Sequence, residues 1–363
     1  MVPSSIAPGW QAGSVGAAAA ASRVAPVYLI PLLAAAERAG IAADALFHGL
    51  GLVADDLEVP GFAVSPNEAN TVVRRALRLL KAPDLGLTLG VHTRITERGA
   101  MALGLMAAAT LGDAIALTLQ FPGSAGYLLA VHAERHGHLQ LVIAEPMFGN
   151  DDIAPFLVDI MFAGSVQIRR LVTGVHYAPT SVELMRPRPP DAAAYERHFG
   201  CPVRFGCSRN VLATDLSGLD LPLPMANAMA YRLSRELLDR AFERGGLHSA
   251  LGLAVERAIL RALPLAVAPA DLASSLNLGE RSLRRKLAQE GLSFRSLLDE
   301  SRKTRALELM AGAKRSITDI ATQTGFSDVR AFSRAFKRWT GRPPTALPAA
   351  AHPPEVDPGD DRH

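Results

Sequence analysis

Apolar residues recur at helical spacing along most of the chain and switch to short alternating runs in one stretch near the middle. Residues 27–39 form an amphipathic helix pattern. Ser65-Pro66-Asn67-Glu68 opens another that runs to about Leu80, with Ser65 as cap, Pro66 at the first helical position and Glu68 closing a capping box. Residues 83–99 read as a further helix or helix-like segment, and 100–110 and 111–120 as two buried helices meeting near Gly112. Residues 127–133 and 138–144 have strand character, and residues 134–137 between them have the length and composition of a hairpin turn. A long helix over 153–171 follows, then short strands at 181–185, 203–205 and 211–214, with a helix over 191–199 among them. An amphipathic helix opens at Pro222 and runs to 243, and 244–246 is the expected break. This pattern predicts an α+β domain, helices plus an antiparallel sheet, over 23–245. The Ala/Gly/Ser-rich residues 1–22 are expected to be a disordered lead, and 348–363 a disordered tail.

After residue 247 the pattern is helical throughout, and it repeats itself. Leu272, Ala273 and Leu276 give a short helix its inward face; Asn277 to Gly279 form a turn, for which Gly279 offers a positive φ. Leu283 and Leu287 are the core side of the next helix. Arg281, Arg284, Arg285 and Lys286 fall on its other faces, and Gly291 ends it. The second unit begins with a short helix and turn over 317–326. Ser327 or Asp328 then caps a helix whose apolar stripe is Phe332, Phe336 and Trp339, with Arg330, Ser333, Arg334 and Lys337 on its exposed side. Between the units, Leu297, Leu298, Ala306, Leu307 and Leu309 form the inner face of a connecting helix over 294–311. Two helix-turn-helix units, about 269–290 and 316–340, thus make an all-α domain over 249–347.

Charge sharpens that division. Residues 271–345 hold 15 Lys/Arg against 8 Asp/Glu, whereas residues 1–270 hold 22 against 23. A basic module on a neutral body is the distribution expected when one part alone holds nucleic-acid phosphates.

The run from Ser316 through Ile-Ala, Gly-Phe-Ser-Asp and Phe-Ser-Arg-Ala-Phe-Lys-Arg to Gly341, Pro343 and Pro344 resembles the signature of AraC/XylS transcription regulators. It departs from that signature at Ala346 and Leu347, where the family carries an aromatic residue and then Arg. The resemblance implies double-stranded promoter or operator DNA as partner. Carried over residue by residue, it makes Arg281, Arg284, Arg285, Arg330, Ser333 and Arg334 the candidates for reading bases. Arg302, Arg305, Lys337 and Arg338 are the candidates for phosphate contact. Residues 25–240 resemble the arabinose-binding-like, non-cupin sensor of the same family. The residues that carry this are 84–90, 99–104, 110–114 and 195–205, with 220–224 similar too. That implies a small-molecule effector of unknown identity and self-association, a homodimer being one form it can take; RNA polymerase is expected as a further partner and activation as the output, with repression left open as the alternative.

Other chemistries fit poorly. His132, His136 and His138 lie along a hairpin and do not make His-Glu-x-x-His, because Glu134 comes one place late. Ser124 lacks the glycine two residues before it that a nucleophile elbow needs. Gly86 and Gly90 lack the third glycine of a dinucleotide loop and suit close helix packing. Cys201 and Cys207 match no zinc spacing and suit a reducing compartment. No catalytic residue, metal site or cofactor is assigned. Phe121, Tyr127, His176 and Tyr177 are possible liners of an effector pocket, but ordinary core is the better reading for each, and none is assigned as a site. The apolar run 101–119 is interrupted by Gly104, Gly112 and Asp113, so no membrane partner and a cytoplasmic location are expected.

Overall fold

The structure is a computed structural model that describes residues 23–59, 61–244, 250–265, 268–276, 278–311 and 315–346. The expected lead, 1–22, and tail, 348–363, lie outside the described residues, as do Asn277 and Leu347. The chain forms two compact units, one reaching Ala250 and the other starting at Leu251.

The first unit opens with α1 (Leu29–Arg38), the single-turn α2 (Ala43–Phe47) and α3 (Pro66–Leu80). Ser65 caps α3 as its sequence demands: its Oγ accepts from Glu68 N, and Glu68 accepts from Ser65 N at 2.8 Å. The segment 83–99 is not one helix. It divides into α4 (Leu85–Val91) and a 3-10 turn, Ile95–Arg98. α5 (Gly99–Ala107) and α6 (Leu111–Gln120) follow; they meet at Ala108 to Thr110, because Thr110 and Asp113 form a capping box that places Gly112 inside the first turn of α6.

Strand β1 (Leu129–His136) pairs with β2 (Leu139–Pro146), and residues 134–136, expected in the turn, remain in the ladder. Gly137 and His138 alone make the turn, with Gly137 at φ +59°, the first position of a two-residue hairpin loop that needs glycine. α7 (Ala154–Thr173), β3 (Ser181–Leu184), α8 (Ala192–Phe199), β4 (Val203–Phe205), β5 (Asn210–Asp215), α9 (Leu216–Leu219) and α10 (Ala228–Arg244) complete the unit. The sheet order is β1-β2-β5-β3-β4. It is antiparallel except for β3 and β4, which run parallel because α8 carries the chain back between them.

Pro222 does not begin a helix. Residues 221–223 lie extended along 109–111, with Leu111 N donating to Leu221 O at 3.0 Å and Leu223 N to Ala109 O at 3.1 Å. α10 starts six residues later, where Asn227 Oδ1 accepts from Met229 N and Ala230 N.

Leu32, Val72, Met101, Leu117, Phe162 and Phe199 are buried in one core. α4 lies almost backbone to backbone on α7. A Cβ at Gly86 would sit 2.6 Å from Phe156 O, and one at Gly90 would sit 2.6 Å from Ala163 Cβ. These two glycines are therefore packing residues, with no room for a side chain.

The second unit contains α11 (Ala250–Ala262), α12 (Pro269–Ser275), α13 (Glu280–Gln289), α14 (Phe294–Ala311), α15 (Ile317–Gln323) and α16 (Val329–Thr340). No helix among the described residues is long and apolar enough to cross a membrane.

Candidate nucleic-acid interface

Each helix-turn-helix has its own core, and α14 contributes to both. Leu283 and Leu287 of α13 pack with Val255, Ile259, Leu272, Ala273 and Leu297. Phe332 and Phe336 of α16 pack with Ala306, Leu309, Ile320 and Ala321. Those apolar positions decide which side of each second helix remains in water. Arg281, Arg284 and Arg285 on α13 are exposed, as are Arg330 and Arg334 on α16, with Ser333 half-buried between them. Arg284 is engaged by Glu280 one turn earlier at 2.5 Å. Arg281, Arg285, Arg330 and Arg334 make no direct ion pair among the described residues.

The turns differ. Gly279, expected to supply a positive φ, is extended at φ −81° and stands at the N-cap of α13 without a side-chain cap. The left-handed glycine is in the second unit, Gly325 at φ +74°. A Cβ there would meet Leu263 Cδ2 at 3.0 Å and Pro264 O at 3.3 Å. Asp328, not Ser327, caps α16: its Oδ1 accepts from Ala331 N at 2.7 Å. That bond holds the Asp328 carboxyl below its ordinary range.

The residues expected at phosphates separate into two kinds. Lys337 is exposed and directed to solvent. Arg305 and Arg338 are also exposed, with acidic neighbours at Glu308 (3.4 Å) and Asp299 (3.0 Å). Arg302 points inward. Its Nη2 donates to Gly325 O at 2.9 Å and its guanidinium lies 4.6 Å from the Phe326 ring centroid. Burial pulls its pKa down, opposed by Asp299. The inward placement has a signal in the pattern: residue 302 falls one turn from both Leu298 and Ala306, on the apolar side of α14.

The first unit has a different feature, a cleft of about 330 Å³ between the α3–α4 connection and the start of α7. Leu77, Leu85, Ile153 and Phe156 line it, with Lys81, Asp152 and Arg186 at its polar edge. Behind it, Tyr195 Oη donates to Asp159 Oδ2 at 2.6 Å, and Arg186 binds the same carboxylate. Burial pushes Asp159 up to about 6, against the pull of Arg186 and Tyr195. The sequence suggested none of these as liners. Phe121 and Tyr177 are core; Tyr177 Oη instead accepts from Arg169 at 2.7 Å. Among the described residues no cluster could hold a metal ion, and both cysteines are free thiols.

Two outward basic helices, each the second of a helix-turn-helix and joined by a shared helix, define a DNA-binding regulator. Known proteins agree. The family described as the arabinose-binding domain of AraC transcription regulator, N-terminal, matches residues 40–223, and a helix-turn-helix domain family matches 272–349. The chain belongs to the AraC family of transcription regulators that carry this N-terminal domain. The ornithine utilization regulator of Pseudomonas aeruginosa is 26% identical over 334 residues, covering 90% of this chain and 96% of its own. An uncharacterized HTH-type transcriptional regulator of Mycobacterium tuberculosis is 26% identical over 332 residues, 88% of this chain and 95% of that one. The transcriptional regulator CdpR of Pseudomonas aeruginosa, a solved structure, shares 22% identity with a TM-score of 0.45, covering 87% of this chain and 96% of that one. These relatives are regulators, not enzymes.

Proposed function

We propose that this regulator is controlled by a small-molecule effector bound in the N-terminal domain, residues 23–245, and reads DNA with residues 249–347. The observation that carries the reading is the division of labour between the two units. Both second helices bury an apolar back and expose arginines, while the first unit carries a separate core and an open cleft of about 330 Å³.

Arg281, Arg284 and Arg285 would read one box, and Arg330, Ser333 and Arg334 another. Arginine suits guanine O6 and N7 in the major groove. Lys337, Arg305 and Arg338 would hold phosphates. Arg302 is better placed to fix the turn of the second unit than to meet DNA. The effector would act by binding one arrangement of the protein better than another, in the cytoplasm, with RNA polymerase as the activated partner and a homodimer as the working form.

Footprinting on the natural promoter tests this. The full chain should protect two short, unlike boxes about 10 base pairs apart, one duplex turn. Removing residues 1–245 should keep that footprint and abolish its response to effector. A single protected groove segment per protomer, or a truncated protein that still responds, overturns the reading.

A further inference from the structure

Two strained pieces of backbone border the cleft of the first unit. Among the described residues, the non-glycine residues with left-handed backbone are Lys81 and Phe148, at φ +49° and +56°. Lys81 ends α3 and lines the cleft. Phe148 sits in the connection that delivers Asp152 and Ile153 to the lining. Arg74 of α3 ties that connection down, donating to Gly149 O and to the two oxygens of Asp152 at 2.7 and 2.8 Å. Glycine would take the Lys81 conformation at no steric cost, and residues held against such a cost gather at ligand sites. The polar groups at the cleft are unequally committed. Asp152 spends both oxygens on Arg74. Arg186 gives Nη1 to Asp159 and Tyr195, while its Nη2 lies 3.5 Å from Asp84 Oδ1, too long for a strong hydrogen bond. Lys81 is exposed and makes no ion pair among the described residues. The groups with donors to spare are therefore cations, beside an apolar wall of Leu77, Leu85, Ile153 and Phe156.

We propose that this cleft binds a small monocarboxylate with an apolar body, the carboxylate held by Lys81 and the unbonded edge of Arg186. The inference rests on effector control through the first unit and names its site and ligand class. Asp159 and Asp84 already offset the charge of Arg186, and Asp152 offsets that of Arg74, so the uncompensated charge at the cleft is that of Lys81. It calls for a single negative charge. A carboxylate accepts from an ammonium and a guanidinium edge together, and its apolar body would cover Leu85 and Phe156. A phosphate monoester would bring nearly two charges against one. A cationic ligand would meet Lys81 with like charge, and a neutral one would leave the ammonium unmatched.

Isothermal titration of the full chain with hexanoate, benzoate and cyclohexanecarboxylate tests the site, with hexanamide and hexylamine as neutral and cationic counterparts. At least one carboxylate should bind, about tenfold or more tighter than either counterpart. Lys81→Gly separates binding from folding. Glycine suits φ +49° at the end of α3, so this variant should melt no lower than the wild type while its carboxylate affinity falls about tenfold. Ala82→Glu, an exposed position lining the same cleft, should also weaken binding by setting a like charge beside the ligand, and Lys81→Arg should retain it. No binding by any of these carboxylates, equal binding of hexanamide, or a Lys81→Gly chain that binds as the wild type does overturns the proposal. Footprinting with and without the bound carboxylate judges effector control separately. A carboxylate that binds through Lys81 yet leaves the footprint unchanged counts against effector control alone. A footprint that responds equally in wild type and Lys81→Gly counts against the cleft alone.

Discussion

The two helix-turn-helix units follow one plan and are built from different materials. The first has an aliphatic core, completed by Val255 and Ile259 of α11, and its second helix starts at Gly279 with no side-chain cap. The second has aromatic packing, with Phe326 against Phe332 at 5.7 Å and against Trp339 at 5.8 Å between ring centroids. Both of its helices are capped, α15 by the Ser316–Asp319 box and α16 by Asp328. Arg302 ties its turn to α14. Arg281, Arg284, Arg285 and Lys286 crowd α13; α16 spreads Arg330, Arg334, Lys337 and Arg338 over a longer helix. The comparison suggests that the first unit leans on charge, and the second on a rigidly held helix.

The largest effect should come from the aromatic core. Phe332→Ala should cost about 3–5 kcal/mol, and Leu283→Ala, at the matching place in the first unit, about 2–5 kcal/mol at the lower end of that range. Urea unfolding of the 249–347 fragment measures both. Equal losses would break the claim that the second unit is the more firmly packed.

Arg302→Met should cost about 1–3 kcal/mol, because it removes a charged donor from Gly325 O and a cation from the face of Phe326. The second box should lose protection in a footprint while the first keeps it. Were Arg302 a phosphate contact, stability would hold and the salt dependence of binding would flatten by about one unit instead.

Arg285→Ala and Arg334→Ala should each weaken specific binding by about 1–3 kcal/mol and relax preference at one base position. Lys337→Ala should weaken all sequences alike and reduce the salt slope by about one. Equal, sequence-independent losses from all three would leave no base reader in either unit.

The smallest effects lie at the caps. Gly279→Ser should stabilise the first unit by a few tenths of a kcal/mol, since its φ of −81° suits any residue and nothing lies within 4 Å of a Cβ there. Asp328→Ala should destabilise the second unit at neutral pH. Because the Asp328 carboxyl is held below its ordinary range, its contribution is present above the unfolded pKa and lost as pH falls through the lowered one. Thermal melts across acid pH should therefore converge for wild type and variant; a constant gap would remove Asp328 from the cap.

The periodicity of the chain was enough for the α+β character of the first unit, the two helix-turn-helix units, the α3 capping box and the outward basic faces of α13 and α16. These are local matters: the spacing of apolar residues decides which side of a helix is buried, and a Ser or Asp at the right offset meets a free backbone N–H wherever the helix packs. What failed in the sequence reading depended on partners far along the chain. Pro222 has the look of a helix start, yet its neighbours bond to Ala109 and Leu111. Gly279 and Gly325 look interchangeable as turn glycines, but only the second is wedged against Leu263 and Pro264 in a left-handed conformation. Arg302 reads as a surface cation, and only the fold brings Gly325 O within reach of its guanidinium. The cleft beside Arg186 and the exposure of Met229, Leu233 and Leu237 on α10 were likewise invisible in the sequence. Each is defined by which side chains other elements leave uncovered, and that is settled only when the helices and the sheet have packed.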